Sequence, residues 1–278
     1  MKRGFLFNIF SYLVRFFCLI IAVSFIGFLT SSSSEMDKES FFEENPIQAP
    51  VSTTTTTTTT FSNYNYWYDN LYSKRNYSGT FSVRKNDYYT SRSYKNNDAA
   101  NVNSYAEFYA NLIIKDADRL DLVMDELEKI YRAKNLTDRQ FINVVVSLVQ
   151  DIPYSLLTAS DCSDHRYSDY KCYSNITGGL YSPVEFIKNF HGDCDTRTVF
   201  LYTILSSFGY DVIILNSEFY KHSILGVKLA SSGKYKTVYG KRYYTWETTA
   251  KGYKLGMMPS ECSNMYYWDV AIHSLKSL

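Results

Sequence analysis

Residues 192–209 read GDCDTRTVFLYTILSSFG, and this stretch decides the architecture. Leu201, Ile204, Leu205 and Phe208 fall at i, i+3, i+4 and i+7, which makes an apolar stripe on one helical face. Gly209 suits the position just past a helix end. The pattern predicts a helix over 194–208 with Cys194 in its first turn. Backbone N–H groups there lack intrahelical partners and the helix dipole is positive, which favours a thiolate. Gly192 allows a sharp turn into the helix and a close approach of substrate to backbone.

Downstream of Gly209 the hydrophobic period changes to two. Residues 211–217, 220–230, 235–238 and 242–249 read as strands joined by turns. Upstream the pattern is helical. Phe108, Leu112, Ile113, Leu120, Val123, Leu127 and Ile130 keep helical spacing across 105–133. Thr137 and Gln140 form a capping-box pair for a helix over 138–150. After an irregular insertion, 155–180, Ser182-Pro183-Val184-Glu185 supplies an N-cap, a proline at N1 and a glutamate at N3 for a short helix ending near 189. Helices followed by a meandering antiparallel sheet predict an α+β fold over 105–278.

The N-terminal third reads differently. Lys2 and Arg3 precede an apolar run, Phe5–Leu29, and acidic residues follow it. Residues 1–30 are therefore expected to be a signal anchor or signal peptide, giving a membrane-tethered or secreted, extracytoplasmic protein. Residues 31–104, rich in Ser, Thr, Asn and Tyr and carrying the run Thr53–Thr60, are expected to form a disordered stalk. A net charge of +1 offers no field for nucleic acid, and no such partner is expected.

Cys194 at a helix start needs a base, and His222 begins the second predicted strand. An imidazole in that role needs an acceptor to fix its tautomer, and Glu247 lies on a later strand, with Asp211 and Glu218 as poorer substitutes. Alternation allows His222 and Glu247 to meet if Tyr220, His222 and Ile224 share the face that packs on the Cys194 helix, together with Tyr243, Thr245 and Glu247. Each residue also has an ordinary reading: a structural cysteine, a hydrogen-bonded core histidine, a solvated edge glutamate. The order nucleophile, base, carboxylate across helix, strand and strand is what joins them.

Val149-Gln150-Asp151-Ile152-Pro153-Tyr154, Ser182-Pro183-Val184-Glu185, Gly192-Asp193-Cys194-Asp195, Gly209-Tyr210-Asp211-Val212, His222 with Gly226-Val227, and Glu247-Thr248-Thr249 together resemble the transglutaminase-like superfamily. The resemblance covers about residues 140–259. It implies a papain-like core, a Cys194–His222–Glu247 triad, acyl chemistry on amide bonds of protein or cell-wall peptide, and no cofactor. The chain carries Glu where most members carry Asp. Gln150 is a candidate oxyanion donor or site-lining residue, with helix capping as its alternative. Hydrolysis through a thioester, a catalytically idle binding domain and a protein-crosslinking enzyme all remain open.

Cys162, His165 and Cys172 match no standard zinc spacing. Outside the cytoplasm a Cys162–Cys172 disulfide is the expected pairing, and the state of Cys262 is left open.

Overall fold

The computed structural model describes residues 59–69, 72–163 and 170–275. It is a mixed helix–strand structure, as expected, but it begins well before Tyr105. A hairpin comes first: β1 (Thr60–Asp69) pairs antiparallel with β2 (Arg75–Arg84), from Thr60↔Arg84 to Asp69↔Arg75. Helix α1 (Lys85–Tyr94) and one π-turn, Lys95–Ala99, follow.

The expected stalk is thus corrected. Its part before residue 59 lies outside the described residues, and 60–69 and 75–99 form the strands and helix just named. On β1 the usual alternation is inverted. Asn63 and Asn65 face inward, where Asn63 Nδ2 donates to the Ile187 carbonyl (2.7 Å) and Asn65 Nδ2 to Asp151 Oδ2 (3.3 Å), while Tyr64, Tyr66 and Tyr68 face outward. On β2, Tyr77, Phe81 and Val83 do alternate inward, a period of two that a polar neighbourhood disguises. Trp67 anchors the hairpin by donating from Nε1 to Ser147 Oγ (3.2 Å).

The predicted helix over 105–133 is two helices, α2 (Tyr105–Asp116) and α3 (Asp121–Ala133), separated by a 3₁₀ turn that swings the second onto β2. Next come α4 (Asp138–Asp151), with the expected capping box at Thr137 and Gln140, and the short parallel pair β3 (Leu156–Leu157) and β4 (Cys172–Tyr173). The Cys162–Cys172 disulfide is present, so both sulfurs are spent and neither is free for a metal; His165 lies outside the described residues. Helix α5 (Pro183–Asn189) also has its capping box, Ser182 with Glu185. Glu185 does more than cap, because it pairs with the buried ammonium of Lys95 at 2.8 Å. That buried pair ties the N-terminal segment to the helix just ahead of Cys194. Leaving either member alone in that interior would be costly.

Helix α6 (Cys194–Ser207) packs on a five-stranded antiparallel sheet of order β7-β8-β6-β5-β9. Its strands are β5 (Val212–Ser217), β6 (His222–Val227), β7 (Tyr235–Val238), β8 (Lys241–Trp246) and β9 (Asp269–Ile272). Val212, Ile214, Leu225, Val227 and Trp246 join the main core, while Ile213, Leu215, Ile224, Tyr243 and Trp268 form a smaller cluster. Period-two alternation sorts these side chains into two layers, one on each face of the sheet.

A transmembrane helix is not supported. No helix among the described residues is long and apolar enough to cross a membrane, and the stretch on which that expectation fell, 5–29, lies outside them.

Candidate active site

The nucleophile turn is built from the inside. Asp193 is the N-cap of α6, its carboxylate accepting from Thr196 N at 2.9 Å. Gly192 is needed for space: a Cβ there would meet Thr196 Cγ2 at 2.7 Å. Its carbonyl accepts from Ser155 N (3.2 Å) and from Arg197 Nε (3.0 Å).

Arg197 is the residue that sequence reasoning passed over. Fully buried, it donates from Nη1 to the Val149 carbonyl (2.6 Å), from Nη2 to the Ile152 carbonyl (2.6 Å), and more loosely from Nη1 to the Thr248 carbonyl (3.3 Å). One guanidinium therefore ties the end of α4, the Cys194 turn and the segment after Glu247 together. Burial pulls its pKa down to about 10, and the facing Tyr154 and Asp193 oppose that shift. The planar fork of five donors explains the choice of Arg, since an ammonium could not span these carbonyls.

His222 and Glu247 meet. His222 is the first residue of β6, Glu247 lies one residue past β8, and their Nε2 and Oε2 atoms are 2.8 Å apart. A carboxylate only accepts, so Nε2 carries the proton and Nδ1 is the nitrogen left to take one. The other Glu247 oxygen accepts from Thr249 N (2.8 Å) and Thr249 Oγ1 (2.6 Å). Burial alone would push the Glu247 carboxyl up, but the bonds from His222 and Thr249 outweigh it and hold it below the usual range.

The assumed face needs correcting. Ile224 and Tyr243 pack in the smaller cluster, and it is Ser223, not His222 or Ile224, that meets α6. The link from β6 to the nucleophile turn is the Ser223 hydroxyl, one residue along the strand from His222, which donates to Asp195 Oδ1.

The surroundings of the thiol oppose the expected thiolate. Burial pushes the Cys194 pKa well above its ordinary value, and the Asp195 and Asp193 carboxylates add to that. The helix dipole is overridden by desolvation and by the neighbouring carboxyl groups, of which Asp193 is itself pushed up to about 8 by burial and by Asp195. Cys194 Sγ lies 3.8 Å from Asp195 Oδ1, and its side chain is only 8% exposed.

Gln150 is neither a cap nor an oxyanion donor. Its amide Nε2 is taken by the carbonyls of Glu247 (2.7 Å) and Tyr253 (3.0 Å), so it fixes the backbone that carries Glu247. Asp211 sits elsewhere, bonded to Tyr243 and paired with Lys228 and Lys241, and Glu218 pairs with Lys221 at the surface. Cys262 is a buried free cysteine whose pKa burial pushes up to about 11. An aromatic series runs outward from His222 through Trp268 and Tyr220 to the stacked, exposed pair Phe219 and Tyr267.

No family model matches the chain. No curated protein matches it, and no solved structure does.

Proposed function

We propose that this chain is a cysteine hydrolase or acyltransferase of the transglutaminase-like, papain-like kind, acting on amide bonds of protein or cell-wall peptide. The observation that carries the reading is the 2.8 Å His222–Glu247 contact beside Ser223, whose hydroxyl donates to Asp195, the residue after Cys194 at the start of α6. In this reaction the Cys194 sulfur attacks the amide carbonyl while its proton passes to His222 Nδ1. The C–N bond then breaks as His222 returns that proton to the leaving amine, and a thioester remains. Water or a second amine attacks the thioester, releasing an acid or a new amide and restoring the thiol. The Cys194 backbone N–H at the helix start is one donor for the oxyanion. The Cys162–Cys172 disulfide supports an oxidising compartment outside the cytoplasm.

A second reading, a catalytically idle binding domain, is favoured by the burial of Cys194, which pushes its pKa up. Incubation of an extracytoplasmic proteome with the protein, followed by mass spectrometry, separates the alternatives. New chain termini mean hydrolysis, and isopeptide links mean transfer. A profile identical to that of Cys194→Ala would leave only the idle reading.

A further inference from the structure

Asp195 follows the nucleophile directly, yet nothing in the chemistry above uses it. Its carboxylate is held through Oδ1. Ser223 Oγ donates to Oδ1, and the same hydroxyl lies 2.6 Å from Asn216 Oδ1 and 3.5 Å from the buried Tyr109 hydroxyl. Asn216 Nδ2 in turn donates to Tyr109 at 3.2 Å. These groups come from α2, β5 and β6, so the Ser223 hydroxyl that meets Asp195 is itself held by two further elements. The remaining neighbour of Oδ1 is the Cys194 thiol, at 3.8 Å, within reach of an S–H donor.

The geometry points to Asp195 as a positioning residue that holds the Cys194 proton in the resting site, so that the nucleophile waits as a thiol. The inference rests on Cys194 being the nucleophile. The charged and titratable groups facing the sulfur are consistent with it. Asp193 and Asp195 lie at the start of α6 and Glu247 beyond β8, all of them opposing a negative sulfur. Arg197 is the opposing cation, and its guanidinium is engaged by four backbone carbonyls. His222 Nε2 is committed to Glu247, leaving Nδ1 to receive the proton once substrate is bound. A site arranged this way keeps its sulfur from stray electrophiles and oxidants, because the thiolate is the reactive form.

The test is the pH dependence of iodoacetamide alkylation at Cys194, followed by peptide mapping so that Cys262 is scored separately. The full chain is used, and no turnover is required, so an inactive protein still decides the question. Wild type should show a midpoint above the free-cysteine value of about 8.5. Asp195→Asn keeps the shape and the Ser223 contact but removes the charge, and should lower the midpoint by about one unit, roughly tenfold more thiolate at neutral pH. Asp193→Asn removes a carboxyl that burial pushes up to about 8 and that does not meet the S–H, and it should shift the midpoint less. An unchanged midpoint in a natively folded Asp195→Asn, or an equal shift in Asp193→Asn, overturns the role. Should Asp195→Asn not fold, the ultraviolet thiolate band, taken as wild type minus Cys194→Ala, decides instead. It should be absent at neutral pH and appear only in alkali, and a neutral-pH band would sink the inference.

Discussion

The Arg197 guanidinium reaches back five residues to the Gly192 carbonyl, 3.0 Å away, and so closes the turn that presents Cys194. The same side chain holds the Val149 and Ile152 carbonyls at the end of α4. Replacing it with Met keeps apolar bulk but leaves several buried acceptors without donors, each worth roughly 1–3 kcal/mol. Arg197→Met is expected to lower stability by on the order of 3 kcal/mol or more, and Arg197→Lys by less, since an ammonium reaches only some of the carbonyls. Urea unfolding midpoints check the order. Equal stability of wild type and Arg197→Met would mean that the carbonyls find other donors.

Gly192 and Thr196 give a second prediction. The Cβ of Gly192→Ala would meet Thr196 Cγ2 at 2.7 Å and Thr196 Cβ at 3.0 Å, with Phe186 behind at 3.2 Å. Overpacking of this kind costs about 1–3 kcal/mol. Thr196→Ser removes the nearer atom and keeps the hydroxyl that accepts from Tyr181 N at 3.0 Å. The double variant is therefore expected to recover part of the loss, a positive coupling that a thermodynamic cycle measures. Strict additivity of the two changes would place the strain elsewhere.

Why some of this was legible in the chain and some was not is clear at particular residues. Helix α6 could be read because Leu201, Ile204 and Leu205 mark one face, and β5 to β8 because their period is two. The pairing of His222 with Glu247 follows from those strands lying side by side, through Leu225↔Trp246. The hairpin escaped because Asn63 and Asn65 point inward to hydrogen-bond partners distant in sequence, which no local pattern reveals. The break between α2 and α3 carries no Gly or Pro to announce it. The upward push of burial on the Cys194 thiol is hidden from sequence for a similar reason. The helix dipole is a local property visible in sequence, whereas burial is set by the packing of distant segments.

Asp116, at the end of α2, supplies a pH prediction. Its Oδ2 accepts from Val184 N (3.0 Å) and Ser91 Oγ (2.8 Å), but Oδ1 is buried without a partner, and burial pushes the pKa up to about 6. The folded state thus holds this proton more tightly than the unfolded chain, whose carboxyl titrates near 3.8. Its contribution to stability is complete below the unfolded value and is lost as pH rises through about 6. Asp116→Asn cannot titrate, so the stability of wild type relative to this variant should fall between about pH 4 and 6 at up to roughly 1.4 kcal/mol per unit. Urea midpoints across that range test it. A constant difference between the two proteins would show that the carboxyl is ionised throughout.

Glu247 and His222 carry the last prediction. Glu247 is almost fully buried; one oxygen faces His222 Nε2 at 2.8 Å and the other accepts from Thr249. That arrangement requires the proton on Nε2 and leaves Nδ1 to receive the thiol proton. Glu247→Gln keeps the shape but makes one of the two positions a donor. If the amide nitrogen faces His222, Nε2 must become the acceptor, so the proton moves to Nδ1 and the base is blocked. If it faces Thr249 instead, two N–H groups oppose each other. Either outcome should reduce turnover by roughly ten- to ten-thousand-fold with the fold intact, while Cys194→Ala abolishes it, because the carboxylate orients the imidazole and takes no proton itself. Nitrogen-15 NMR of the imidazole reads the tautomer independently of any substrate. In wild type the proton should be on Nε2; in Glu247→Gln it moves to Nδ1 where the amide nitrogen faces His222 and stays on Nε2, with turnover still reduced, where that nitrogen faces Thr249. Full activity in Glu247→Gln, with the proton still on Nε2, would leave Cys194 and His222 as a pair oriented by some other group.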